Sequence, residues 1–211
     1  MPDPFRFDGR VAVVTGAGRG LGRAYAKLLG SLGAAVVVNN VRTAVLCLRD
    51  RCVLITNPRV QRTEALAVQV AEEIVAGGGV AIPDAHDVSQ EGEKTIRRAT
   101  AEFGRIDVLI NNAGQLRDRS FAKMSWEEWK DVIDTHLHGA FRCTHEAWPH
   151  MVSAGYGRVL MVSSLSAASG NFGQGVGTLP EIIAHRPCQI GLSPSIDTHT
   201  CGLTVCVCVC V

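Results

Sequence analysis

Glycines at 16, 18, 20 and 22 follow Thr15 and give the spacing Thr-Gly-x-x-x-Gly-x-Gly from Thr15 to Gly22. Glycine lets a backbone turn tightly and lets a diphosphate approach bare N–H groups, which a helix N-terminus presents together. Thr15, Gly16, Gly20, Leu21 and Gly22 are therefore candidate nucleotide-binding residues; the competing reading is a tight turn without a ligand. Three further polar groups follow: Asp87-Val88, Asn111-Asn112-Ala113-Gly114 and Ser163-Ser164. The Asp87 carboxylate suits either an adenine amino group or a helix cap. Two amides followed by two small residues suit a wall beside a cofactor, or the fastening of neighbouring strands by side-chain to backbone bonds. A serine at the carboxyl end of a parallel strand faces a substrate or caps a turn.

These residues need strands and helices to hold them. Val11 to Val14 is a short apolar run of the kind a buried parallel strand shows. From Leu21 the apolar positions 21, 24, 25, 28, 29 and 32 mark one face of a helix. Ala34 to Asn39 reads as a second strand. Its end is where dinucleotide folds carry an acid for the adenosine ribose, and Asn39-Asn40 stands there, uncharged. Arg42 is either a partner for a 2′-phosphate or a solvated surface arginine. Residues 41–62 follow no clear period and include an Asn57-Pro58 turn. Thr63 to Ala76 reads as a helix stopped by Gly77-Gly78-Gly79, and Val80 to Pro83 as a third strand. Gln90 to Phe103 is a charged helix and Ile106 to Ile110 a fourth strand. Ser125-Trp126-Glu127-Glu128 is a capping box opening a long helix toward Pro149, with His136 inside it. Gly157 to Ser163 is a fifth strand.

With 211 residues and a net charge of +1, the chain reads as one domain with no nucleic-acid partner. Neither a leader before the first strand nor a membrane-spanning run is expected. The eight cysteines cluster: Cys47 and Cys52 in one stretch, Cys188, Cys201, Cys206, Cys208 and Cys210 in the last segment, and only Cys143 elsewhere. Such clustering sets both stretches apart from the chain around them. Neither makes a convincing paired-ligand site, so no metal is expected.

Taken together, Thr15-Gly16, Gly20, Gly22, Asp87, Asn111 to Gly114 and Ser164 resemble the short-chain dehydrogenase/reductase family. The segments Arg6 to Arg10, Gly22 to Ala26, Glu91 to Lys94, Leu116 to Ala122 and Gly170 to Gln174 look like its peroxisomal (3R)-3-hydroxyacyl-CoA dehydrogenases. The resemblance covers about residues 5–40 and 63–174. It implies an α/β, Rossmann-type doubly wound parallel sheet, with about five of the family's seven strands represented here. It also implies NAD as cofactor (with NADP left open), an acyl-CoA substrate, a homodimer, a peroxisomal setting and a cofactor site including Asn40, Asp87, Val88, Asn112, Ala113 and Gly114. In the family a tyrosine takes the hydroxyl proton as hydride leaves for the nicotinamide. A lysine four residues on lowers the tyrosine pKa, a serine polarises the reacting oxygen, and a helix asparagine supports a proton path. Ser164 matches the serine, and His136 stands at the asparagine position. Counting from Ser164 and Gln174, the tyrosine position is Gly177 and the lysine position Glu181. Neither Tyr25 nor Tyr156 has a lysine four residues on, and no lysine follows Lys130.

After Gln174 the resemblance stops. Residues 175–211 show no sustained period and close on alternating Val and Cys, as a GT dinucleotide repeat encodes in one frame. The expectation is a non-family tail, disordered or translated from non-coding sequence, with residues 41–62 of similar origin. The chain's Val-Cys-Val end is no peroxisomal signal, so a cytoplasmic location is expected for the chain as written. The fifth strand is expected to be a raw sheet edge, and the fold marginal. Two functions are carried forward: an oxidoreductase by descent that has lost turnover, and a non-catalytic nucleotide-binding or interaction module. A third outcome is that no stable product forms.

Overall fold

The computed structural model describes residues 6–41, 46–48, 51–53, 58–117, 120–164 and 203–210, with side chains described for 6–41, 66–117 and 120–163. Val11–Val14 forms β1, buried along its whole length. Its alternate residues serve two cores: Ala12 and Val14 face one layer, Val11 and Val13 the other. That double burial is why the strand reads as an unbroken apolar run.

Gly20–Ser31 (α1) leads to Ala35–Asn39 (β2). Pro58–Ala76 (here α2) leads to a further strand, Val80–Asp84. Between them lies an antiparallel hairpin, Leu46–Leu48 (β3) and Arg51–Val53 (β4), so Val80–Asp84 is β5. Val88–Phe103 (α3) is followed by Val108–Asn111 (β6), then Trp126–Ile133 (α4) and Gly139–Ser153 (α5). Gly157–Ser164 is β7 and Leu203–Cys210 is β8. The main sheet runs β5-β2-β1-β6-β7-β8, parallel throughout. The order reverses at β1, which moves the chain from one side of the sheet to the other. Ligands of such sheets bind at that switch point, beyond the strand carboxyl ends.

One core joins α1 and α2 to the sheet through Ala26, Leu29, Val70 and Ile74; the other joins α3 and α5 through Ile96, Ala99, Cys143, Ala147 and Met151. Helix contacts are close where residues are small. A Cβ on Gly30 would lie 2.6 Å from Ile74, and one on Gly92 2.9 Å from Cys143. Both helix pairs are bridged outside by charge: Arg23 and Lys27 to Glu73, and Arg97 to Glu146. At the sheet's amino end the buried Asp107 carboxylate accepts from the Val11 amide and from the Arg10 and Arg105 guanidinium groups.

Four expectations change. The buried face of α1 is Gly22, Ala26, Leu29 and Gly30, while Leu21 and Leu28 are 49% and 57% exposed. Close approach to the glycine turn, to Asn112 and to Ile74 of α2 selects the small residues, so the large apolar positions do not define the inner face. The second helix begins at Pro58 rather than Thr63; proline lacks only an N–H that the first turn leaves unpaired. The helix from Ser125 is interrupted by a π-helical turn, Asp134–His138, and then runs through Pro149 to Ser153. Finally, β7 is not a raw edge: Gly157 to Ser164 pairs residue for residue with Leu203 to Cys210. The Ser125 and Glu128 capping box forms in full.

Candidate nucleotide-binding site

The turn after β1 is fixed from both flanks. Thr15 N–H donates to the Ile110 carbonyl at 3.0 Å, and Ala17 N–H to that of Asn39 at 2.7 Å. Gly16 and Gly20 have φ of +62° and +56°, the left-handed region that favours glycine. The other two glycines answer to close approach. A Cβ on Gly22 would lie 2.5 Å from Asn112 Nδ2 and from the Gly16 carbonyl; one on Gly18 would lie 2.7 Å from Asn40 Cγ. α1 then starts at Gly20. Arg19 precedes it in extended conformation, makes no capping bond, and no acid stands in the first turn. Among the described residues the first amides of α1 have no side-chain acceptor, and no acid of the first turn offsets the positive end of the helix dipole. Bare glycines below an uncapped helix fit a dinucleotide diphosphate.

The wall of this cradle is latched to its floor. The Thr15 hydroxyl accepts from the Asn112 and Ala113 amides at 3.0 and 2.9 Å and donates to the Ile110 carbonyl at 3.3 Å. The Asn112 carboxamide donates back to the Thr15 and Gly16 carbonyls at 2.9 and 3.2 Å. Thr15 is buried and Asn112 turns inward, so both shape the cradle. Asn111 is buried too and donates to Thr144 Oγ1 at 3.0 Å. Strand fastening is thus the role these amides display. Ala113 is half-buried and Gly114 exposed beside the turn.

At the adenosine end the two asparagines separate. Asn39 is fully buried and donates to the Asp84 carboxylate at 2.7 Å and the His86 carbonyl at 2.9 Å. Asn40 is half-buried and lies against Gly18. Asp87 caps α3, its Oδ1 accepting from the Ser89 amide and hydroxyl at 2.9 and 2.7 Å. Val88 is a core residue packed on Gly139, which leaves its side chain no face toward a ligand.

His136 occupies the π-helical turn. Such turns insert one residue into the helical repeat and recur at functional sites. Its Nε2 is 3.0 Å from both the amide nitrogen and the carbonyl oxygen of Gln115. An amide can only donate, so the neutral ring accepts there, and a protonated ring would donate to the carbonyl. Burial pushes the His136 pKa below its ordinary value, against a weaker upward pull from the Gln115 backbone. Gly114 allows this contact, since a Cβ there would lie 3.0 Å from the ring.

Against known proteins, the family model described as short chain dehydrogenase matches residues 51–176, more than half of the chain. The chain belongs to the short chain dehydrogenase family. Among curated relatives, it is 45% identical over 174 residues to peroxisomal multifunctional enzyme type 2 of Mus musculus, covering 82% of this chain and 22% of that protein. The Drosophila melanogaster protein of that name is 47% identical over 169 residues, covering 80% and 26%. The structure of full-length peroxisomal multifunctional enzyme type 2 from Drosophila melanogaster matches with a TM-score of 0.69 and 38% identity, covering 97% of this chain and 31% of that chain. A short chain dehydrogenase from Mycobacterium avium gives a TM-score of 0.69 and 36% identity, covering 84% and 60%. The chain thus spans about a quarter of the length of these curated relatives.

Short chain dehydrogenases work with a nicotinamide cofactor, and the cradle of this one has the bare glycines and open helix end that such a dinucleotide needs. Ser164 ends β7 in backbone register with Cys210, and its side chain lies outside the described residues, as do Arg42, Gly177 and Glu181. No helix among the described residues is long and apolar enough to cross a membrane. Two residues escaped the sequence reading. Asp84, the register partner of Asn39, is buried and bonded to Asn39, Thr95 and His86. Gln115 holds His136. The signal for Asp84 was an acid one residue beyond the expected strand end; Gln115 had none, because its backbone makes the contact.

Proposed function

We propose that this short chain dehydrogenase carries the nucleotide-binding half of an oxidoreductase whose lineage oxidises (3R)-3-hydroxyacyl-CoA to 3-ketoacyl-CoA in the peroxisome. As the chain stands, it holds the dinucleotide without turnover. The observation that carries this reading is the latched cradle formed by Thr15, Gly16, Gly22 and Asn112, followed by a sequence without Tyr-x-x-x-Lys. A bound nicotinamide would supply the hydride acceptor. The remaining work belongs to side chains. Ser164 would polarise the substrate oxygen, but position 177 is glycine and has no group to take the hydroxyl proton. Tyrosine has an ordinary pKa near ~10 and needs a nearby cation to act as a base. Position 181 carries a glutamate, the opposite charge.

His136 is no substitute base. Its Nε2 is committed to Gln115, and burial weakens it as a proton acceptor. Asn40, Asp87, Ala113 and Gly114 would line the adenosine and nicotinamide-ribose regions, with Thr15 and Asn112 shaping the cradle behind them. Residues 175–211 are read as a non-family tail joined to a dinucleotide-binding unit over 1–174, with 41–62 an atypical insert.

The second reading, a non-catalytic nucleotide-binding module, draws on the same cradle. The test is paired: calorimetric titration of the purified chain with nicotinamide dinucleotides, and reduced-nicotinamide formation from a (3R)-3-hydroxyacyl-CoA. Saturable binding with turnover at least ~10²-fold below a complete dehydrogenase supports the proposal, since general acid–base catalysis contributes ~10²–10⁴-fold. Comparable turnover would sink the catalytic part, and absence of binding the nucleotide part.

A further inference from the structure

The hairpin between β2 and α2 is a sheet of its own. β3 and β4 pair Leu46 with Val53, Cys47 with Cys52 and Leu48 with Arg51. Only Arg49 and Asp50 lie between the closing partners. Hydrogen-bonded and non-hydrogen-bonded pairs alternate along an antiparallel ladder. The pair that closes a two-residue connection is a hydrogen-bonded one, so Cys47 and Cys52 form a pair of the other kind, with Cα atoms about 4.5 Å apart. Disulfides span Cα separations of roughly 4.4–6.8 Å. Register partners also share one face of a sheet.

No other strand pairing among the described residues sets cysteine against cysteine. Cys206, Cys208 and Cys210 of β8 stand opposite Leu160, Val162 and Ser164. Cys143 is buried in the core, and burial pushes its thiol up to about 12, which leaves it inert as a nucleophile. At the hairpin, Arg49 and Arg51 outnumber Asp50, and a net positive stretch favours the thiolate. A covalent tie also has work to do there. Two strands alone are marginal in water, and Arg49-Asp50 lacks the glycine that two-residue turns favour.

We propose that Cys47 and Cys52 are a reversible modification site, a thiol pair that takes a peroxide as oxidant and closes to a disulfide across the hairpin. One thiolate attacks the peroxide: the O–O bond breaks, an alkoxide or hydroxide leaves, and the sulfur becomes a sulfenic acid. The second thiolate attacks that sulfur: the S–S bond forms, the S–O bond breaks and hydroxide leaves. The two thiol protons neutralise the two departing anions, and the two electrons lost by the sulfurs reduce the peroxide. The proposal does not depend on the nucleotide site.

The test treats the purified full chain with hydrogen peroxide, blocks remaining thiols with N-ethylmaleimide and digests it with trypsin without reductant. Cleavage after Arg42, Arg49, Arg51 and Arg59 puts the two cysteines on separate peptides. Thr43–Arg49 joined to Cys52–Arg59 is the expected main disulfide product, released by dithiothreitol and absent from Cys47→Ser and from Cys52→Ser. The double variant Cys52→Ser, Val53→Cys keeps two cysteines close in sequence but sets them on opposite faces of the hairpin, so its linkage should form at least about tenfold more slowly. Equal linkage in that variant would overturn the assignment to the hairpin register. Recovery of both parent peptides as blocked thiols, or joined chiefly to other cysteines or to a second chain, would overturn the proposal outright.

Discussion

Thr15 and Asn112 hold each other from opposite sides of one junction. The Thr15 hydroxyl accepts the Asn112 amide at 3.0 Å, and the Asn112 carboxamide returns a bond to the Thr15 carbonyl at 2.9 Å. The pair joins the glycine turn after β1 to the end of β6, elements almost a hundred residues apart in sequence. Replacing Thr15 with Val keeps the shape and strands two amides, those of Asn112 and Ala113. An unsatisfied buried group costs about 1–3 kcal/mol. Thr15→Val should lower stability in urea unfolding by that order and weaken nucleotide binding, while Thr15→Ser should retain both.

Gly22 and Gly20 differ in why they are glycine, and alanine should separate them. At Gly22 a Cβ meets Asn112 Nδ2 and the Gly16 carbonyl at 2.5 Å, so Gly22→Ala must push the latch apart. Overpacking of this kind costs roughly 1–3 kcal/mol. At Gly20 a Cβ meets nothing within 4 Å, and only the φ of +56° resists it. Gly20→Ala should cost about 1 kcal/mol through backbone strain and leave the latch in place. Paired denaturation and nucleotide-binding curves read both effects.

Asp107 sets an acid limit on stability. Burial, the largest influence, pushes its carboxyl upward; the Arg105 guanidinium, the Val11 amide and the Arg10 guanidinium together outweigh it and hold it below its ordinary value of 3.8. A carboxyl lowered in the folded state stabilises fully above its unfolded value, and that contribution disappears as pH falls through the folded one. Asp107→Asn should remove it at neutral pH. The two arginines are partly exposed, so the cost should fall below the about 3–5 kcal/mol of breaking a fully buried pair. Stability measured against pH in parent and variant should converge only in strong acid.

His136 should act in a milder pH range. Its folded pKa lies below the ordinary 6.5 because burial disfavours the charged ring. The unfolded chain therefore binds the proton more readily. The neutral ring's contribution is complete above about 6.5 and is lost as pH falls from there toward the folded value. Protonation also replaces the Gln115 amide contact with one to its carbonyl. His136→Asn should flatten this part of the stability profile, and a profile unchanged by the substitution would contradict the assignment.

Much of the site was legible because its chemistry is local. The run Val11 to Gly22 contains strand, turn and helix start in a dozen residues, and the capping box at Ser125 is satisfied by neighbours three apart. What stayed hidden depends on distant partners. Asn39 and Asn40 are equivalent in sequence, and only the pairing of β2 with β5 buries the first on Asp84 and leaves the second at Gly18. The inner face of α1 followed its small residues because Gly22 and Gly30 meet Asn112 and Ile74. The π-helical turn at His136 changes the helical repeat without any proline or glycine inside it to mark the place. The strand at 203–210 lies in a stretch that shows no sustained period, and alternating Val and Cys does not name β7 as its neighbour.

The central claim is that the nucleotide cradle persists without the chemistry that would use it. Its most direct test follows reduced-nicotinamide formation by the purified chain, saturated with dinucleotide, on a (3R)-3-hydroxyacyl-CoA, beside the dehydrogenase region of a complete relative. The account predicts a rate at least ~10²-fold lower despite saturable nucleotide binding. A rate equal to the relative's would contradict it and require a proton acceptor other than the missing tyrosine.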